Sequence, residues 1–220
     1  MTVPDLPGVL SADEAIASAE QLVSIQTDAG MIPWWPGGHC DAWNHVECAM
    51  ALDVVGMHDA AERAYEWLAR IQRPDGSWHN YYLPDDTVED AKIDTNVVAY
   101  IATGLWHHWR CTNDRNFVDN MWPTVERALD CVLGLRRDDG LVLWAVDADG
   151  SAPWDYALLT GSSSIQHSLR CGAAVGLATG SPRPDWVAAA DRMCTLIGHA
   201  PLAFQPKTRW AMDWYYPVLT

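Results

Sequence analysis

One short phrase occurs three times in this chain of 220 residues, each time where a helical pattern ends. A Gln or Arg closes the pattern and a Gly follows four residues later: Gln26 and Gly30, Gln72 and Gly76, Arg136 and Gly140. Gly accepts the left-handed backbone conformation that ends many helices. Repetition of such a unit indicates a fold built by stacking similar helical pieces. The repeat therefore constrains the architecture more than any other feature.

Helical periodicity covers most of the chain and predicts seven or eight helices. They span residues 13–26, 41–55, 59–72, 94–110, 121–137, 162–179 and 185–197, and an eighth begins near Thr208. The odd-numbered helices are amphipathic, whereas the second, fourth and sixth are apolar on most sides. Pro123 suits the first turn of the fifth helix. No strand of regular length is evident, although the segments around 81–83 and 141–144 suit short ribbons.

This alternation predicts an all-α domain with an α/α-toroid architecture. The apolar helices would form an inner ring and the amphipathic helices an outer ring. No Gly/Ser linker divides residues 1–220, so the sequence predicts a single domain. The predicted helices make about four hairpins, whereas a closed six-hairpin toroid needs twelve helices. Three alternatives stay open: a chain truncated at the C-terminus, a partial toroid, or a protomer that closes its ring in a homo-oligomer.

Charge and composition limit the partners. The formal net charge is −15, which disfavours binding to nucleic acid or to an anionic membrane surface. No apolar run approaches the roughly 18 residues of a transmembrane helix, and residues 1–10 lack the pattern of a signal peptide. The six Cys residues include no C-x-x-C pair and suit reduced, buried thiols. We therefore expect a cytoplasmic protein with no nucleic-acid partner and no transmembrane segment.

The turns that lead into the inner helices should meet at one mouth of the ring, and they are rich in Trp, His and acidic residues. The chain has 13 Trp against 2 Phe, and a buried Trp needs a partner for its indole N–H, so the excess favours pocket walls. We predict four catalytic acids there: Asp41, Glu47, Asp94 and Asp155. The predicted substrate-binding residues come from the same turns: Trp34, Trp35, His39, Trp43, Asn44, His45, Trp78, His79, Asn96, Trp154, Ser163, Asp213, Trp214 and Tyr215.

Many of these residues also have a purely structural interpretation. Three suit helix N-caps: Asp41, Asp94 and Ser162. Three suit the core of the barrel: Trp43, Trp78 and Trp154. His107 and His108 lie within a helix and suit a structural role, and the acidic run 85–90 suits a solvated loop. The spacing of the His, Cys and Asp residues between 39 and 45 matches no zinc signature, so we predict no metal ligand.

Residues 63–78 resemble the QW motif of terpenoid cyclases, with Gln72, Gly76 and Trp78 at its end. Residues 127–142 resemble a weaker copy, in which Arg136 replaces the Gln. Segments 36–39, 41–47 and 212–217 extend the resemblance to actinobacterial prenyltransferase-like proteins of the terpenoid cyclase/prenyltransferase α/α-toroid superfamily. This resemblance implies an enzyme that binds an isoprenoid in a Trp-lined mouth, where aromatic faces stabilise a carbocation. It implies no cofactor, except Mg²⁺ if the substrate is a diphosphate.

The same helical rhythm is similar to six-hairpin glycosidases, in which two carboxylates flank a sugar bond. The Asp-x-Asp-Asp acid of squalene–hopene cyclases is absent, and a mouth of Trp, Asp, Asn, His and Ser suits sugars. No Glu stands near Trp144, however, where glucoamylase-like enzymes carry an acid. We therefore expect a prenyltransferase- or cyclase-like enzyme. The alternatives are a carbohydrate-active hydrolase or transferase and a non-catalytic binding or scaffold toroid.

Overall fold

The computed structural model describes residues 3–207, 209 and 212–220, and the side chains of all of these except 212–215. Its α-helices are α1 (Ala12–Ile25), α2 (Ala42–Val54), α3 (His58–Ile71), α4 (Thr95–Ala99), α5 (Ile101–Thr112), α6 (Arg115–Gly134), α7 (Leu159–Thr179), α8 (Pro184–His199) and α9 (Met212–Leu219). A short 3₁₀ helix spans Pro201–Ala203. Helices α4 and α5 form one rod, because Tyr100 between them keeps helical dihedral angles.

The helices alternate between an inner and an outer layer. Helices α2, α5, α7 and α9 pack side by side, and α3, α6 and α8 pack on their outer faces. All residues of α4, half of those of α5 and most of those of α7 are buried, as expected for helices that are covered on several sides. The predicted all-α, α/α-toroid arrangement of helical hairpins is confirmed. No helix in the described part of the chain is long and apolar enough to cross a membrane.

The threefold repeat links neighbouring outer helices. Gly30, Gly76 and Gly140 all have φ between +90° and +100°, as the left-handed prediction requires. The Gln72 amide donates to the carbonyl oxygen of Gly76 at 2.9 Å and to that of Thr124 in α6 at 2.9 Å. Gln26 makes the equivalent pair of bonds to its own turn and to α3. The first two repeats therefore tie the end of one outer helix to the next, and at the third turn Arg192 of α8 donates to the Asp139 carbonyl oxygen.

These turns and the following outer helices approach each other closely. A Cβ atom on Gly30 would lie 2.2 Å from the carbonyl oxygen of Arg63, and one on Gly76 would lie 2.3 Å from that of Arg127. Arg127 also donates to the Gln72 side-chain oxygen, which completes the link between α3 and α6. Glycine at the end of the repeat is thus required by contact as well as by backbone conformation.

Two predicted helix starts are wrong. Helix α6 begins at Arg115, so Pro123 lies inside the helix and not in its first turn. Asp114 caps this helix by accepting a hydrogen bond from the Phe117 N–H at 3.0 Å. The first turns bury Phe117 and Val118, and we infer that this burial outweighs the cost of an internal proline. Helix α7 begins at Leu159, so Ser162 is not an N-cap.

Two small antiparallel ribbons form around the inner-helix starts. Strand β1 (Tyr81–Tyr82) pairs with β2 (Val88–Asp90), so the acidic run 85–90 is partly strand. Strand β3 (Ile93–Asp94) pairs with β4 (Ala145–Val146), with Asp94 opposite Ala145. The predicted segment 81–83 therefore contains strand β1, whereas the second strand forms at Ala145–Val146, just after the predicted segment 141–144. The second ribbon brings a connection fifty residues away against the start of α4.

Candidate functional site

Asp41 caps helix α2 and is almost fully buried. Its Oδ1 accepts a hydrogen bond from the Asn44 backbone N–H at 2.9 Å. Its Oδ2 accepts bonds from the Trp34 indole N–H at 2.7 Å and from the Asn44 side chain at 2.8 Å. The carboxylate therefore anchors Trp34 as well as the helix.

Four rings form an aromatic group beside Asp41, which we call the Trp34 cluster: Trp34, Trp35, His39 and Tyr81. His39 stacks on Tyr81 with a centroid distance of 4.3 Å. Trp34 and Trp35 remain 48% and 51% exposed, so their faces are open to a ligand. Trp35 lies against Gly38, where a Cβ would come within 2.4 Å of the indole. Gly38 therefore sets the position of this ring.

His39 is held by an acidic partner that the sequence did not single out. Its Nδ1 lies 2.7 Å from Glu89 Oε2. The other ring nitrogen, Nε2, is shielded from solvent and has no hydrogen-bond partner. With Nδ1–H donating to the Glu89 carboxylate, Nε2 is a buried acceptor within the Trp34 cluster.

Asp94 repeats the arrangement of Asp41 at the start of α4. Its Oδ1 accepts bonds from the Asn96 and Val97 backbone N–H groups, at 3.0 and 3.4 Å. Its Oδ2 accepts the Trp144 indole N–H at 2.7 Å. Burial raises the pKa of Asp94, although the positive charge of Lys92 and the N–H donors oppose the rise. Each of the two capping carboxylates therefore holds one indole.

A second aromatic group, the Trp144 cluster, contains Trp144, Trp154 and Tyr156. Trp144 stacks on Tyr156 with an interplanar angle of 22° and meets Trp154 edge-on at 5.8 Å. The Lys92 ammonium group lies 4.8 Å from the Trp144 ring centroid. The sequence singled out Trp154 but missed Trp144 and Tyr156. The position of Trp144 in the predicted ribbon after Gly140 was the available signal.

Glu47 lies farther along α2 and is exposed. Its Oε1 accepts hydrogen bonds from the Trp43 indole N–H, at 3.3 Å, and from the Tyr100 hydroxyl group. Burial and the neighbouring Glu47 charge raise the pKa of Tyr100 well above its ordinary value. Trp43 also contacts Tyr216 at a centroid distance of 6.1 Å. These residues form a third aromatic and acidic group on the inner face of the ring.

Tyr81 connects the first two groups. Burial raises the pKa of its hydroxyl group, and the negative charges of Asp41, Asp90 and Asp94 raise it further. Both capping carboxylates therefore lie close enough to act on the same phenol. The pairing of Cys40 with Tyr82 places Asp41 near strand β1, and the hydrogen bond from the Asn80 N–H to the Lys92 carbonyl oxygen places the segment before Asp94 near the same strand. Asp41 and Asp94 therefore both lie near Tyr81, and we call this region the mouth.

Three predicted binding residues do not belong to this mouth. His45 is fully buried: its Nδ1 accepts the Ile32 N–H and its Nε2 donates to the Ala64 carbonyl oxygen at 2.9 Å. Trp78 is 1% exposed and donates its indole N–H to the Leu68 carbonyl oxygen. His79 Nε2 accepts a hydrogen bond from Arg73, and His79 Nδ1 donates to the Ala91 carbonyl oxygen. Core packing and local hydrogen bonds occupy the polar atoms of these three side chains, which is the structural alternative to ligand contact.

The remaining predicted residues differ in accessibility. Asn96 is buried, and its side-chain oxygen has no partner. Ser163 is buried and donates to the Leu159 carbonyl oxygen, as a helix-internal serine often does. Asp155 is exposed beside the Trp144 cluster. The side chains of three predicted residues lie outside the described part of the structure: Asp213, Trp214 and Tyr215.

A different polar cluster, which we call the far-end cluster, lies at the other end of α2 and contains Asp53, His58, His107 and His108. Asp53 is 1% exposed and accepts bonds from His58 Nδ1 at 2.8 Å and His108 Nδ1 at 3.0 Å. Burial alone would raise the pKa of Asp53, but the surrounding imidazoles outweigh it and lower the pKa to about 2. No group of three or more potential ligands among the described residues could hold a metal ion.

The chain resembles one curated enzyme over almost its whole length. It is 44% identical over 217 residues to the MMP endo-(1,4)-3-O-methyl-alpha-D-mannosidase of Mycolicibacterium hassiacum. The match covers 99% of this chain and 60% of that enzyme. A segment of 80 residues is also 34% identical to the uncharacterized glycosyl hydrolase MJ1610 of Methanocaldococcus jannaschii, and it covers 36% of this chain and 13% of that protein. No protein-family profile matches the chain.

Several solved structures share the fold, and two of them are named as enzymes that act on sugars. A D-mannose isomerase superposes with a TM-score of 0.65 at 12% identity, covering 90% of this chain and 54% of the isomerase. The unsaturated glucuronyl hydrolase of Bacillus sp. GL1 superposes with a TM-score of 0.60 at 19% identity, covering 85% of this chain and 56% of the hydrolase. The chain therefore spans little more than half the length of these structures. At such low identity the likeness shows the fold alone.

These comparisons overturn the leading functional expectation. The prenyltransferase or terpenoid-cyclase reading is wrong, because the long curated match is a mannosidase and the structural neighbours include glucuronyl hydrolases. The resemblance carried by the QW-like repeat reflects shared hairpin packing, since Gln26 and Gln72 tie outer helices together. The similarity to six-hairpin glycosidases is the part of the resemblance that is confirmed.

Proposed function

We propose that this chain belongs to a glycoside hydrolase that cleaves a (1,4)-linked α-mannan carrying 3-O-methyl groups. The observation that carries the proposal is the 44% identity to the endo-mannosidase across 99% of the chain. The chain spans 60% of that enzyme's length, so both activity and substrate are part of the proposal.

The surfaces at the mouth suit such a substrate. Trp34 and Trp35 offer half-exposed indole faces, and a methylated sugar ring presents apolar surface that can stack on them. Glu89, which holds His39 and is exposed, adds a carboxylate that can accept a hydrogen bond from a sugar hydroxyl group. A few polar groups among aromatic walls are typical of sites for small organic ligands.

Asp94 is our candidate for the general acid. Burial raises its pKa, which favours the protonated form that an acid catalyst needs. In the proposed reaction Asp94 donates its proton to the glycosidic oxygen while the bond from that oxygen to the anomeric carbon breaks. A water molecule adds to the anomeric carbon, and a second carboxylate accepts the proton that this water loses. Asp41 and Glu47 are the candidates for that second carboxylate.

The test is hydrolysis of a defined oligosaccharide. We would incubate the protein with (1,4)-linked 3-O-methyl-α-mannose oligomers and follow shorter products by mass spectrometry. We expect cleavage by the wild type and a large loss with Asp94→Asn, which keeps a helix cap and an acceptor for Trp144. Asp119→Asn on the outer helix α6 is the matched control, because it removes one carboxylate far from the mouth.

Two results would contradict the proposal. One is a folded wild-type protein that leaves these oligomers intact, and the other is an Asp94→Asn variant with unchanged turnover. Separate Asp41→Asn and Glu47→Gln variants would then assign the second carboxylate. Unmethylated α-(1,4)-mannan oligomers in a parallel reaction would show whether the methyl groups are required.

A further inference from the structure

The chain has only two lysines, and both lie on the same aromatic group. The sequence contains Lys92 and Lys207 against twelve arginines, in a chain of net charge −15. Lys92 Nζ lies 4.8 Å from the Trp144 ring centroid, and Lys207 Nζ lies 5.9 Å from it. Lys207 also lies 5.3 Å from the Tyr156 ring, and Lys92 lies 5.8 Å from Trp154. Both lysines of the chain therefore lie against the Trp144 cluster.

Local backbone bonds place both lysines there. The Asn80 N–H donates to the Lys92 carbonyl oxygen at 2.7 Å, directly before strand β3. That strand carries Asp94 and pairs with the segment that follows Trp144. On the other side, the Gln205 N–H donates to the Ala157 carbonyl oxygen at 2.9 Å. The segment before β3 and the segment before α9 therefore each place one ammonium group against the same rings.

Neither ammonium group has an anionic partner in the described part of the chain. Every ion pair found there uses arginine or histidine as the base; the arginines are Arg70, Arg73, Arg115, Arg137, Arg170 and Arg183. The oxygens of the nearby Asp94 carboxylate accept hydrogen bonds from three N–H donors. Asp94 makes no ion pair with Lys92.

This arrangement is unfavourable without an anion. Both lysine side chains are partly buried, and partial burial weakens the hydration of an ammonium group. Two like charges on one aromatic cluster also repel each other, which offsets the attraction of each ammonium group to the rings. An anionic group between them would relieve both costs. The half-buried rings of the Trp144 cluster would meanwhile offer apolar surface to a sugar ring that carries that group.

We propose that Lys92, Lys207 and the Trp144 cluster form a subsite that binds a carboxylate carried by a sugar ring. The sugar stacks on the aromatic faces and its carboxylate accepts hydrogen bonds from the two ammonium groups. This inference rests on the proposed function only in taking the ligand to be a carbohydrate. It goes beyond it, because a methylated mannan needs no anionic group.

A matched pair of sugars tests the subsite directly. Maltotriose and the same trisaccharide oxidised to carboxylates at its C6 positions differ only in those groups. We would measure binding of each by isothermal titration calorimetry to the wild type, Lys92→Met, Lys207→Met and the double variant. Methionine keeps the length and apolar contact of the lysine stem while removing its charge. Arg137→Met, which removes a cation from the turn after the outer helix α6, is the control.

We expect the oxidised sugar to bind the wild type about tenfold more tightly than the neutral one at low salt. The double variant should lose this preference while keeping its affinity for the neutral sugar, and Arg137→Met should retain the preference. Raising the ionic strength to about 0.15 M should weaken only the oxidised sugar. Circular dichroism would confirm that each variant folds.

Three outcomes would overturn the inference: equal binding of the two sugars, a preference that survives in the double variant, or equally strong competition by inorganic phosphate. Hydrolysis is not needed for any of these measurements, so a failure here is distinct from a failure of the proposed activity. If the protein cleaves the methylated mannan but binds the neutral and the oxidised sugar equally, the subsite is rejected and the proposed function is not.

Discussion

Helix α2 carries a buried carboxylate at each end, and the surroundings of the two differ. Asp41 and Asp53 are twelve residues apart, or roughly 18 Å along a helix. At the far end, Asp53 is enclosed by three imidazoles and has no exposed surface to offer. At the mouth, Asp41 holds Trp34, whose indole face is half exposed. One carboxylate closes a cluster, and the other supports an open surface.

The rod formed by α4 and α5 shows the same contrast. Asp94 at its start holds the Trp144 indole beside unpaired ammonium groups, whereas His108 near its end is fully buried against Asp53. The same residue types therefore serve different purposes at the two ends. Unused polar atoms beside exposed aromatic faces mark a site for ligands, and mutual hydrogen bonding within a sealed cluster marks a structural element. We expect activity to depend on the mouth and stability on the far end.

The largest effect should come from Asp94→Asn at the mouth. Removing a general acid commonly lowers the rate by about 10² to 10⁴-fold, and we expect the turnover of the methylated mannan oligomer to fall by that amount. The free energy of unfolding should change little, because asparagine also caps helices. The measurements are initial rates and urea unfolding of the same preparation. If the free energy of unfolding falls together with turnover, Asp94 stabilises the fold and is not the general acid.

Asp53→Ala at the far end should lower the stability of the fold and leave turnover unchanged, which is the opposite of Asp94→Asn. It removes the anion from a buried group of imidazoles, and breaking one partner of such a buried pair costs about 3–5 kcal/mol. We expect a much lower urea midpoint, with turnover per folded molecule close to that of the wild type. Asp53→Asn, which keeps one acceptor oxygen, should lose less stability than Asp53→Ala. If Asp53→Ala unfolds no earlier than the wild type, the far-end cluster does not stabilise the fold.

The packing of hairpins could be predicted from local sequence signals, because the elements that create it are local. In the first two turns, the Gly with φ of +90° to +100° and the Gln that links outer helices lie within five residues of each other. The start of α6 was missed because two local signals compete there. Asp114 caps the helix and the burial of Phe117 continues it, whereas Pro123 alone suggested a later start.

The candidate site was harder to predict because its contacts are long-range. Asp94 and Trp144 are fifty residues apart and meet only through the pairing of β3 with β4. Composition indicated a Trp-rich mouth but not which indole meets which carboxylate. His45 was placed at the mouth because of its neighbours in sequence. Its ring instead turns into the core, where Ile32 and Ala64 use both nitrogens.

His45 offers a pH-dependent test of that core position. Burial lowers its pKa to about 4, from 6.5 in an unfolded chain. The unfolded state therefore binds a proton more readily, so stability should fall as the pH decreases from about 6.5 to 4 and then level off for this group. The shift corresponds to about 3 kcal/mol. His45→Gln, which does not titrate, should reduce this decline in urea unfolding at a series of pH values. An unchanged decline would exclude His45 as its source.

The smallest effect we predict separates stacking from carboxylate positioning within the Trp34 cluster. Trp34 donates its indole N–H to Asp41, whereas no described residue accepts a hydrogen bond from Trp35. Trp35→Leu should therefore remove only a stacking face and raise KM for the mannan oligomer about five- to tenfold, with kcat unchanged. Trp34→Leu should raise KM similarly and also lower kcat, because Asp41 loses one of its donors. Equal kcat values for the two variants would show that the Trp34–Asp41 bond does not act in turnover. The mouth would then bind sugar through its aromatic faces, while Asp41, like Asp53, would serve the fold.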